Sequence, residues 1–425
     1  MLSTTSVLLA VVIATPLIQL IIRAAARGGE TGPALLRAMG TYCYFVLPVV
    51  VAFGAAVISI AVPQILGVAG HIWGIELLAT GLQPAASVYA LAVVQAREDV
   101  HRFTLISLTS VVVTAASKLA LVVQLDMGVL GWALSDLVSA VISAAMALLI
   151  VRRPRARVRA RDIRYILSFC APLIPHSAAF WALTSASRPA MAAVSTFDQV
   201  GLLSFGLNLA QIAGLVLGET NRAALIRYSR ETFPAPTRQT FNLVKWQLLA
   251  AFVVPATVGV GVAIGGQRLF AEAYWTSFPL TGILLIGQAA LGLYLIPMNY
   301  LTQTAGLPKY SALASGAGAV VIMGWIACYG HKYGAIGVAC ATAAGYLMMA
   351  AVAMILTLSH GLDIEWRAWL RTWPEMLLAG AGLACAVTAL AAPSGTPAVW
   401  ATVGVCFVCM STAVVLSIRR TGGKR

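Results

Sequence analysis

The sequence predicts an all-α polytopic membrane protein with about thirteen transmembrane helices in two pseudo-symmetric lobes. Charged residues make up 10% of the 425 residues, against about 25% in a typical soluble domain. Hydrophobic residues make up 60%, and the mean hydropathy is +0.89. One soluble core cannot absorb that much apolar surface, whereas helices that face lipid must display it.

The net charge of +14 comes from 28 Lys and Arg against 14 Asp and Glu. Most of these basic residues occupy short gaps between apolar stretches, so nucleic acid is not a predicted partner. The seven cysteines lie in apolar stretches away from the His-rich or acidic surroundings that metal ligation needs. We therefore predict no metal site and no cofactor.

The predicted spans fill nearly the whole chain and leave no room for a soluble domain. A helix that crosses the hydrocarbon core needs about 17 to 25 mostly apolar residues. The stretches that meet this requirement are 5–22, 42–66, 72–94, 103–124, 128–151, 165–184, 200–218, 241–264, 279–301, 310–329, 334–358, 373–391 and 398–418.

The distribution of Lys and Arg predicts the orientation of these spans, because cytoplasmic loops carry the positive excess. One alternating set of gaps holds 24 of the 28 basic residues, and the other holds only Arg188, Arg268 and Lys332. The C-terminus is therefore expected in the cytoplasm. An odd number of spans then puts Met1 outside, so we expect one N-terminal helix to be missing from a fourteen-helix bundle.

The most basic gap divides the chain into an N-lobe, 1–151, a cytoplasmic linker, 152–164, and a C-lobe with the C-terminal helices, 165–425. The linker carries seven arginines and one acid. It is interpreted as a topology determinant that touches anionic headgroups, and a regulatory or partner site is the alternative.

A weak internal repeat favours two lobes. The stretch from Gln95 to the Gly128-x-x-Gly131 turn parallels the stretch from Gln303 to Gly334-x-x-Gly337. Both copies run from a cytoplasmic loop through a helix to a tight outer turn, so the repeat is parallel and implies a pseudo-two-fold axis along the membrane normal. The paired glycines would let helices approach closely.

Charged groups inside a span are candidate sites, because each costs at least about 2.5 kcal/mol without a partner or cavity. Lys118 and Asp136 fall at similar depth on adjacent antiparallel helices. They are either a structural ion pair or a cavity element whose lysine contacts an anionic substrate. Glu76, near the outer end of its span on one face with Gln83 and Ser87, is expected to snorkel and is a further ion-coupling candidate with Asp136.

A mainly polar stripe runs along the segment 200–222, and we expect it to face into the bundle. Its members recur at helical three- and four-residue steps. They are Ser204, Asn208, Gln211, Leu215, Gly218 and Arg222. Glu219 precedes Arg222 by three residues, so a local ion pair is one interpretation, and roles in ion coupling and in substrate binding are the other.

The segment 169–205 contains Pro172 and Pro175, which are expected to interrupt a helix, followed by His176 and Arg188. Broken helices near a cavity expose backbone groups to substrate, and His176 is either a proton carrier or a hydrogen-bonded structural residue. Arg188 is the stronger candidate for anion contact, because it keeps its charge and holds phosphate bidentately.

This segment resembles the signature stretch of bacterial polysaccharide and O-antigen flippases of the multidrug, oligosaccharidyl-lipid and polysaccharide (MOP) exporter superfamily. The matching residues are Pro172-Leu-Ile-Pro175-His176, Phe180-Trp181, Ser187-Arg188 and Val200-Gly-Leu-Leu-Ser204. Flippases commonly have an acid before the arginine and a tyrosine before the serine, where this chain has Ser187 and Leu203.

The resemblance implies a transporter in the bacterial inner membrane that flips isoprenoid-pyrophosphate-linked oligosaccharide for surface polysaccharide synthesis, by alternating access. The implied partners are that lipid-linked oligosaccharide and membrane lipids, with polysaccharide polymerase and chain-length machinery as candidates. The chain has no G-x-x-x-x-G-K-[ST] loop, so coupling to an ion gradient or membrane potential is expected.

Two other classes of protein are alternatives. An exporter of drugs or cations from the same superfamily would need unpaired cavity acids, which Lys118 and Arg188 oppose. A membrane-embedded glycosyltransferase or polymerase would need catalytic acids or arginines in a large outer loop. The longest outer gap, 184–199, offers only Arg188 and Asp198, so the chain is not expected to be an enzyme.

Overall fold

The computed structural model describes residues 15–28, 31–65, 67–230, 238–360, 366–392 and 396–422. These residues are almost entirely helical, apart from a short antiparallel hairpin of β1 (Gln64–Ile65) and β2 (Val68–Ala69). The helices are α1 (Thr15–Arg27), α2 (Gly32–Ala61), α3 (Gly70–Ala96), α4 (Val100–Gln124), α5 (Gly128–Ile150), α6 (Ala160–Ala192), α7 (Phe197–Ser229), α8 (Arg238–Leu269), α9 (Glu272–Thr304), α10 (Lys309–Ser359), α11 (Trp366–Arg371), α12 (Trp373–Ala391) and α13 (Pro397–Gly422).

The helices confirm the predicted fold class. Eleven in the described ranges are long and apolar enough to cross a membrane. The 51-residue α10 is two helices, because Gly334 inside it has non-helical backbone angles (φ 52°, ψ −144°). Twelve of the predicted spans coincide with helices, and 15–22 of the first span lie in α1, whereas 5–14 lie outside the described residues. The chain is a multi-pass membrane protein.

Several helices present large apolar side chains outward, as lipid-facing helices do. Phe53 and Ile60 on α2 are 74% and 87% exposed. On α4, Leu108 and Val111 are also exposed. By contrast, most side chains of α9 are buried, so this helix lies at the centre of its bundle.

The described residues form two compact units. The first contains residues up to Ala178, together with Ser229 and Arg230. The second contains Ala179–Tyr228 and the residues from 238 onward. The division into lobes at 152–164 stays a prediction.

The two copies of the internal repeat have the same backbone features. Gly128 and Gly334 both have positive φ, 54° and 52°, which is a conformation that glycine adopts at low cost. The second glycine of each motif is the packing position: a Cβ on Gly131 would lie 2.7 Å from the Leu121 carbonyl oxygen, and one on Gly337 would lie 2.5 Å from the Tyr333 Cβ. The two first glycines differ: nothing lies within 4 Å of a Cβ on Gly128, whereas one on Gly334 would lie 2.8 Å from the Gln199 Oε1.

The predicted break in α6 is present but more local than expected. The helix is interrupted by a turn at Ala171 and Pro172, resumes at Leu173 with Pro175 inside it, and has a π-helical stretch at Ala182–Ala186. A wider turn of this kind changes which carbonyl groups are used inside the helix.

Some basic residues at or beyond the predicted span ends lie inside helices. Helix α7 continues to Ser229, eleven residues past the predicted end, so Arg222 and Arg227 are helical. Lys245 is inside α8 and only 1% exposed. Its Nζ donates to the Ser417 carbonyl on α13 at 2.9 Å, which accounts for a buried lysine at this position.

Candidate functional site

In the second unit, the structure brings together two predicted residues that are 20 positions apart, Arg188 on α6 and Asn208 on α7. The Arg188 Nη2 donates to the Asn208 Oδ1 at 2.7 Å. The buried Arg188 Nε has no hydrogen-bond partner among the described residues. No described carboxylate lies within 4 Å of this guanidinium. The Arg188 side chain is thus held by the Asn208 amide, and its Nε–H remains available as a hydrogen-bond donor.

Gln211, one turn after Asn208 on α7, also contacts α6. Its Nε2 donates to the Thr184 carbonyl at 3.1 Å, and Thr184 belongs to the π-helical stretch of α6. The hydrogen bond holds a polar side chain against an irregular piece of backbone in a membrane-spanning segment. Arg188, Asn208 and Gln211 therefore form one polar cluster.

The polar stripe on α7 is partly exposed and partly in contact with α6, and the expectation that it faces into the bundle stays a prediction. Asn208 and Arg222 are exposed, and the opposite face of α7 is buried through Leu209, Ala213 and Leu217. The apolar face of α7 is thus buried, and its polar stripe lies on the other side of the helix, where Asn208 and Gln211 contact α6.

Arg222 and Glu219 form the local pair that their spacing allows. The Arg222 Nη1 lies 2.9 Å from the Glu219 Oε1, and the two side chains are 47% and 50% exposed. An exposed pair of this kind contributes at most about 1 kcal/mol. The pairing interpretation is confirmed, and the proposed roles of both residues in binding and coupling stay predictions.

In the first unit, Lys118 on α4 and Asp136 on α5 are paired, as one of the two interpretations held. The Lys118 Nζ lies 3.0 Å from the Asp136 Oδ1 and 3.8 Å from the centre of the Trp132 ring. The side chains are 28% and 23% exposed. Thr114 and Ser139 are hydrogen bonded at 2.5 Å along the same helix pair. This geometry favours a structural role for the lysine over substrate contact.

Glu76 does not snorkel. It lies in the second turn of α3 and is 5% exposed, whereas Gln83 and Ser87, predicted to share its face, are exposed. The π-helical stretch Ala85–Ala90 in the same helix contains Ser87 and departs from the regular period assumed for that face. A buried carboxylate inside an apolar unit remains a candidate for ion coupling.

His176 lies on α6 within the first unit and is half-buried. Arg188 and Asn208 lie in the second unit. His176 is thus not one of the three residues in the polar cluster of the second unit, and its two interpretations both stay predictions.

A buried amide network in the second unit was missed by the sequence reasoning. The Tyr228 hydroxyl donates to Gln247 Oε1 at 2.6 Å, and the Gln247 Nε2 donates to Asn221 Oδ1 at 3.2 Å. The Asn299 Nδ2 donates to the same Asn221 oxygen at 2.7 Å. The network joins α7, α8 and α9, and its signal in the sequence was four polar residues at nearly apolar helix faces.

The described residues contain no group of three or more His, Cys, Asp and Glu side chains that could hold a metal ion. Their cysteines, which include Cys406 and Cys409, are free thiols.

Comparison with solved structures identifies the fold. No protein-family model and no curated protein sequence matches the chain. A Vibrio cholerae MATE transporter in its bent form superposes with a TM-score of 0.64 at 12% identity, over 84% of this chain and 85% of that chain. A multidrug resistance MATE family transporter of the MOP superfamily, in an outward-facing conformation, gives 0.63 at 16% identity, over 84% of each chain.

A MOP superfamily transporter from Pyrococcus furiosus gives 0.62 at 14% identity, over 84% of this chain and 85% of that chain. Its binding pocket is described as having a reverse polarity that suggests a different function. The chain is thus a mainly helical membrane protein. More particularly, it has the fold of the MATE transporters of the MOP superfamily.

Proposed function

We propose that this protein is a membrane transporter that moves an anionic, isoprenoid-pyrophosphate-linked oligosaccharide across the membrane by alternating access. The observation that carries the substrate class is the charge of the polar cluster. Arg188 is held by the Asn208 amide at 2.7 Å, with a buried Nε that has no hydrogen-bond partner among the described residues. A guanidinium with spare donors binds phosphate oxygens in charge-assisted hydrogen bonds.

The other accessible charges in the described spans do not favour a cationic substrate. Asp136 is neutralised by Lys118, and Glu219 by Arg222. Because the carboxylates that solvent can reach in the middle of these helices already have cationic partners, the open polar surface is net positive at Arg188. The reversed pocket polarity described for the Pyrococcus furiosus transporter supports the idea that substrate charge varies among proteins of this fold.

The exposed polar side chains of α7 are the observation that supports a sugar-containing substrate. Asn208 and Arg222 are exposed on this helix, and Ser204 and Gln211 are partly exposed. Hydroxyl and amide groups of a sugar need such donors and acceptors in place of the water that they lose. Helix α7 and the adjoining part of α6 would then contact both the pyrophosphate and the first sugars.

A second candidate function is the export of drugs or other cations, and one of the similar structures is a multidrug resistance transporter. Glu76 is the observation that favours it, because a carboxylate that is 5% exposed among apolar helices is the kind of group that binds a proton or a cation.

The two functions are distinguished by complementation. Expression in a bacterium that lacks its polysaccharide flippase should restore surface polysaccharide and remove the lipid-linked repeat units that accumulate inside. Expression in a strain that lacks its drug exporters should leave the minimum inhibitory concentrations of cationic dyes unchanged. Dye resistance without restored polysaccharide, at equal membrane levels of protein, would reverse the assignment.

A further inference from the structure

The first unit contains an apolar groove that the proposed cluster around Arg188 does not use. Its volume is about 610 Å³. It lies between α1, α2, α6 and the end of the linker, and its lining is mainly apolar. Representative lining residues are Leu17, Met39, Val46, Ile163, Ile166 and Leu167.

A pocket formed by arginines adjoins this groove. It is lined by Arg37 of α2 and by Arg155, Ala156, Arg157 and Val158 of the linker, and its volume is about 540 Å³. Val158 lines both the pocket and the groove, so the two are neighbours at this side chain. The three guanidinium groups have no acidic partner within 4 Å in the described part of the chain.

The linker is extended and presents its arginines on one side. Residues 152–159 have no helical structure, and successive side chains of an extended chain point to opposite sides. Arg153, Arg155, Arg157 and Arg159 are exposed, whereas the intervening Pro154, Ala156 and Val158 are partly buried. This alternation explains why the arginines occur at every second position. A requirement for positive charge alone would not produce that spacing.

The linker is also fixed in place at both ends. The Arg153 Nη1 donates to the Thr41 Oγ1 at 3.1 Å, and its guanidinium lies 4.4 Å from the Phe45 ring centre. At the other end, the Arg159 backbone N–H donates to Asp162 Oδ2 at 2.8 Å, which caps α6. Asp162 is the one acid of the linker, and it is occupied by this cap. Arg155 and Arg157 are therefore held beside the groove with their charges uncompensated by the linker itself.

We infer that the groove and the arginine pocket form a binding site for a single-chain prenyl diphosphate, with the prenyl chain in the groove and the diphosphate on Arg37, Arg155 and Arg157. This inference rests on the proposed substrate class, and it adds a second contact for the lipid carrier in the first unit. Three guanidinium groups beside one apolar groove complement a head with more than one negative charge on one chain. A phospholipid with one phosphate and two acyl chains matches this arrangement less well.

The test is a titration of the purified full chain in a non-ionic detergent with farnesyl diphosphate, a water-soluble prenyl diphosphate. Inorganic pyrophosphate supplies the head alone, farnesol the chain alone, and lysophosphatidylglycerol one phosphate on one acyl chain. We expect farnesyl diphosphate to bind at least about tenfold more tightly than each of these three, because it alone occupies both halves of the site (tenfold is ~1.4 kcal/mol).

Two double variants with equal loss of charge separate a built site from general electrostatics. Arg155→Ala/Arg157→Ala removes two pocket arginines, and Arg152→Ala/Arg164→Ala removes two arginines that line neither cavity. All four are exposed, so both proteins should fold. The first variant should weaken farnesyl diphosphate binding by about tenfold or more, and the second by less than about threefold.

A third variant tests the groove. Ala38→Trp places a large side chain at the groove wall, and it should reduce farnesyl diphosphate binding to the level of pyrophosphate while leaving pyrophosphate binding unchanged. A matched lipid-facing change, Leu108→Trp, should leave both unchanged.

Equal weakening by the two arginine double variants would overturn the inference, because the linker would then act through its overall charge. Binding of lysophosphatidylglycerol as tight as that of farnesyl diphosphate would overturn the proposed occupant in favour of phospholipid. Failure of the proposed function is read separately, from the complementation of the parent protein. Selective prenyl diphosphate binding without complementation would preserve this site and remove the flippase proposal.

Discussion

Arg188 is the residue on which the proposed substrate class depends most. Arg188→Ala should lower polysaccharide complementation by about tenfold or more, because a charge-assisted contact to pyrophosphate is lost. Arg188→Lys should retain an intermediate activity, since lysine keeps the charge but not the planar fork that holds two oxygens. Surface polysaccharide and membrane protein levels are measured together.

The matched control for Arg188 is Arg268→Ala, which removes an exposed arginine near the end of α8 in the same unit. It should complement like the parent. If Arg188→Ala also complements fully, the guanidinium does not contact the substrate and the assignment of the cluster fails.

The Lys118–Asp136 pair gives a stability prediction. Lys118→Met should lower the free energy of unfolding by about 2.5 kcal/mol, because it leaves Asp136 charged in a membrane span. Lys118→Met/Asp136→Leu should lie within about 1 kcal/mol of the parent, since removing both charges also removes the cost of burying them. Thermal unfolding in detergent measures both. A double variant that is no more stable than the single one would contradict a structural pair.

The candidate residues were predictable to the extent that their partners are close in sequence or on adjacent helices. Glu219 and Arg222 are three residues apart on one helix, and Lys118 and Asp136 lie on two consecutive helices joined by a short turn. Both pairs could therefore be predicted from helical geometry. The contact between Arg188 and Asn208 required knowledge of how α6 packs on α7. Helix packing depends on the shape of whole faces, which spacing alone does not contain.

The network of Asn221, Gln247 and Asn299 could not be predicted from the sequence for the same reason. It joins three helices that are separated by up to 78 residues. Each amide by itself reads as an unremarkable polar residue, and only the packed structure puts the three within hydrogen-bond distance.

At the scale of elements, the glycine turns give the sharpest prediction. Gly334 has φ 52° and ψ −144°, and a Cβ there would lie 2.8 Å from the Gln199 Oε1. That oxygen accepts from the Ala335 N–H at 3.0 Å and so caps the second helix of α10. Gly334→Ala should therefore cost about 2–3 kcal/mol through backbone strain and displacement of the cap.

Gly128→Ala is the matched change in the other copy of the repeat. It has the same sign of φ, but nothing lies within 4 Å of the added Cβ. Its cost should be about 1 kcal/mol, from the backbone conformation alone. Unfolding temperatures in one detergent test the order, and equal destabilisation by the two variants would mean that Gln199 does not contribute.

The helices were the most predictable part of the fold, because a membrane span is defined by length and hydropathy together. Their ends were less predictable. Helix α7 continues past its apolar stretch to Ser229, and Lys245 is buried although lysine is typical of a loop. Helical hydrogen bonding does not stop where the hydrocarbon ends, and a lysine is stable inside when a carbonyl, here of Ser417, accepts from it.

At the scale of the whole molecule, the distribution of basic residues predicts the membrane orientation. A reporter that is active only in the cytoplasm, fused after Arg425, should be active, and the same reporter inserted between Arg268 and Glu272 should be silent. The opposite pattern at both positions would show that the positive-inside count had been applied with the wrong sign, and it would place the arginine linker outside.

The central claim is that a protein with the fold of the MATE transporters carries an anionic lipid-linked sugar rather than a cation. The measurement that tests it most directly uses proteoliposomes with the purified full chain, a fluorescent sugar on a prenyl diphosphate, and an impermeant quencher. We predict flipping at least about tenfold faster than in protein-free liposomes, with no uptake or release of a cationic dye. Dye transport without flipping of the labelled lipid, under an imposed ion gradient or potential, would contradict the account.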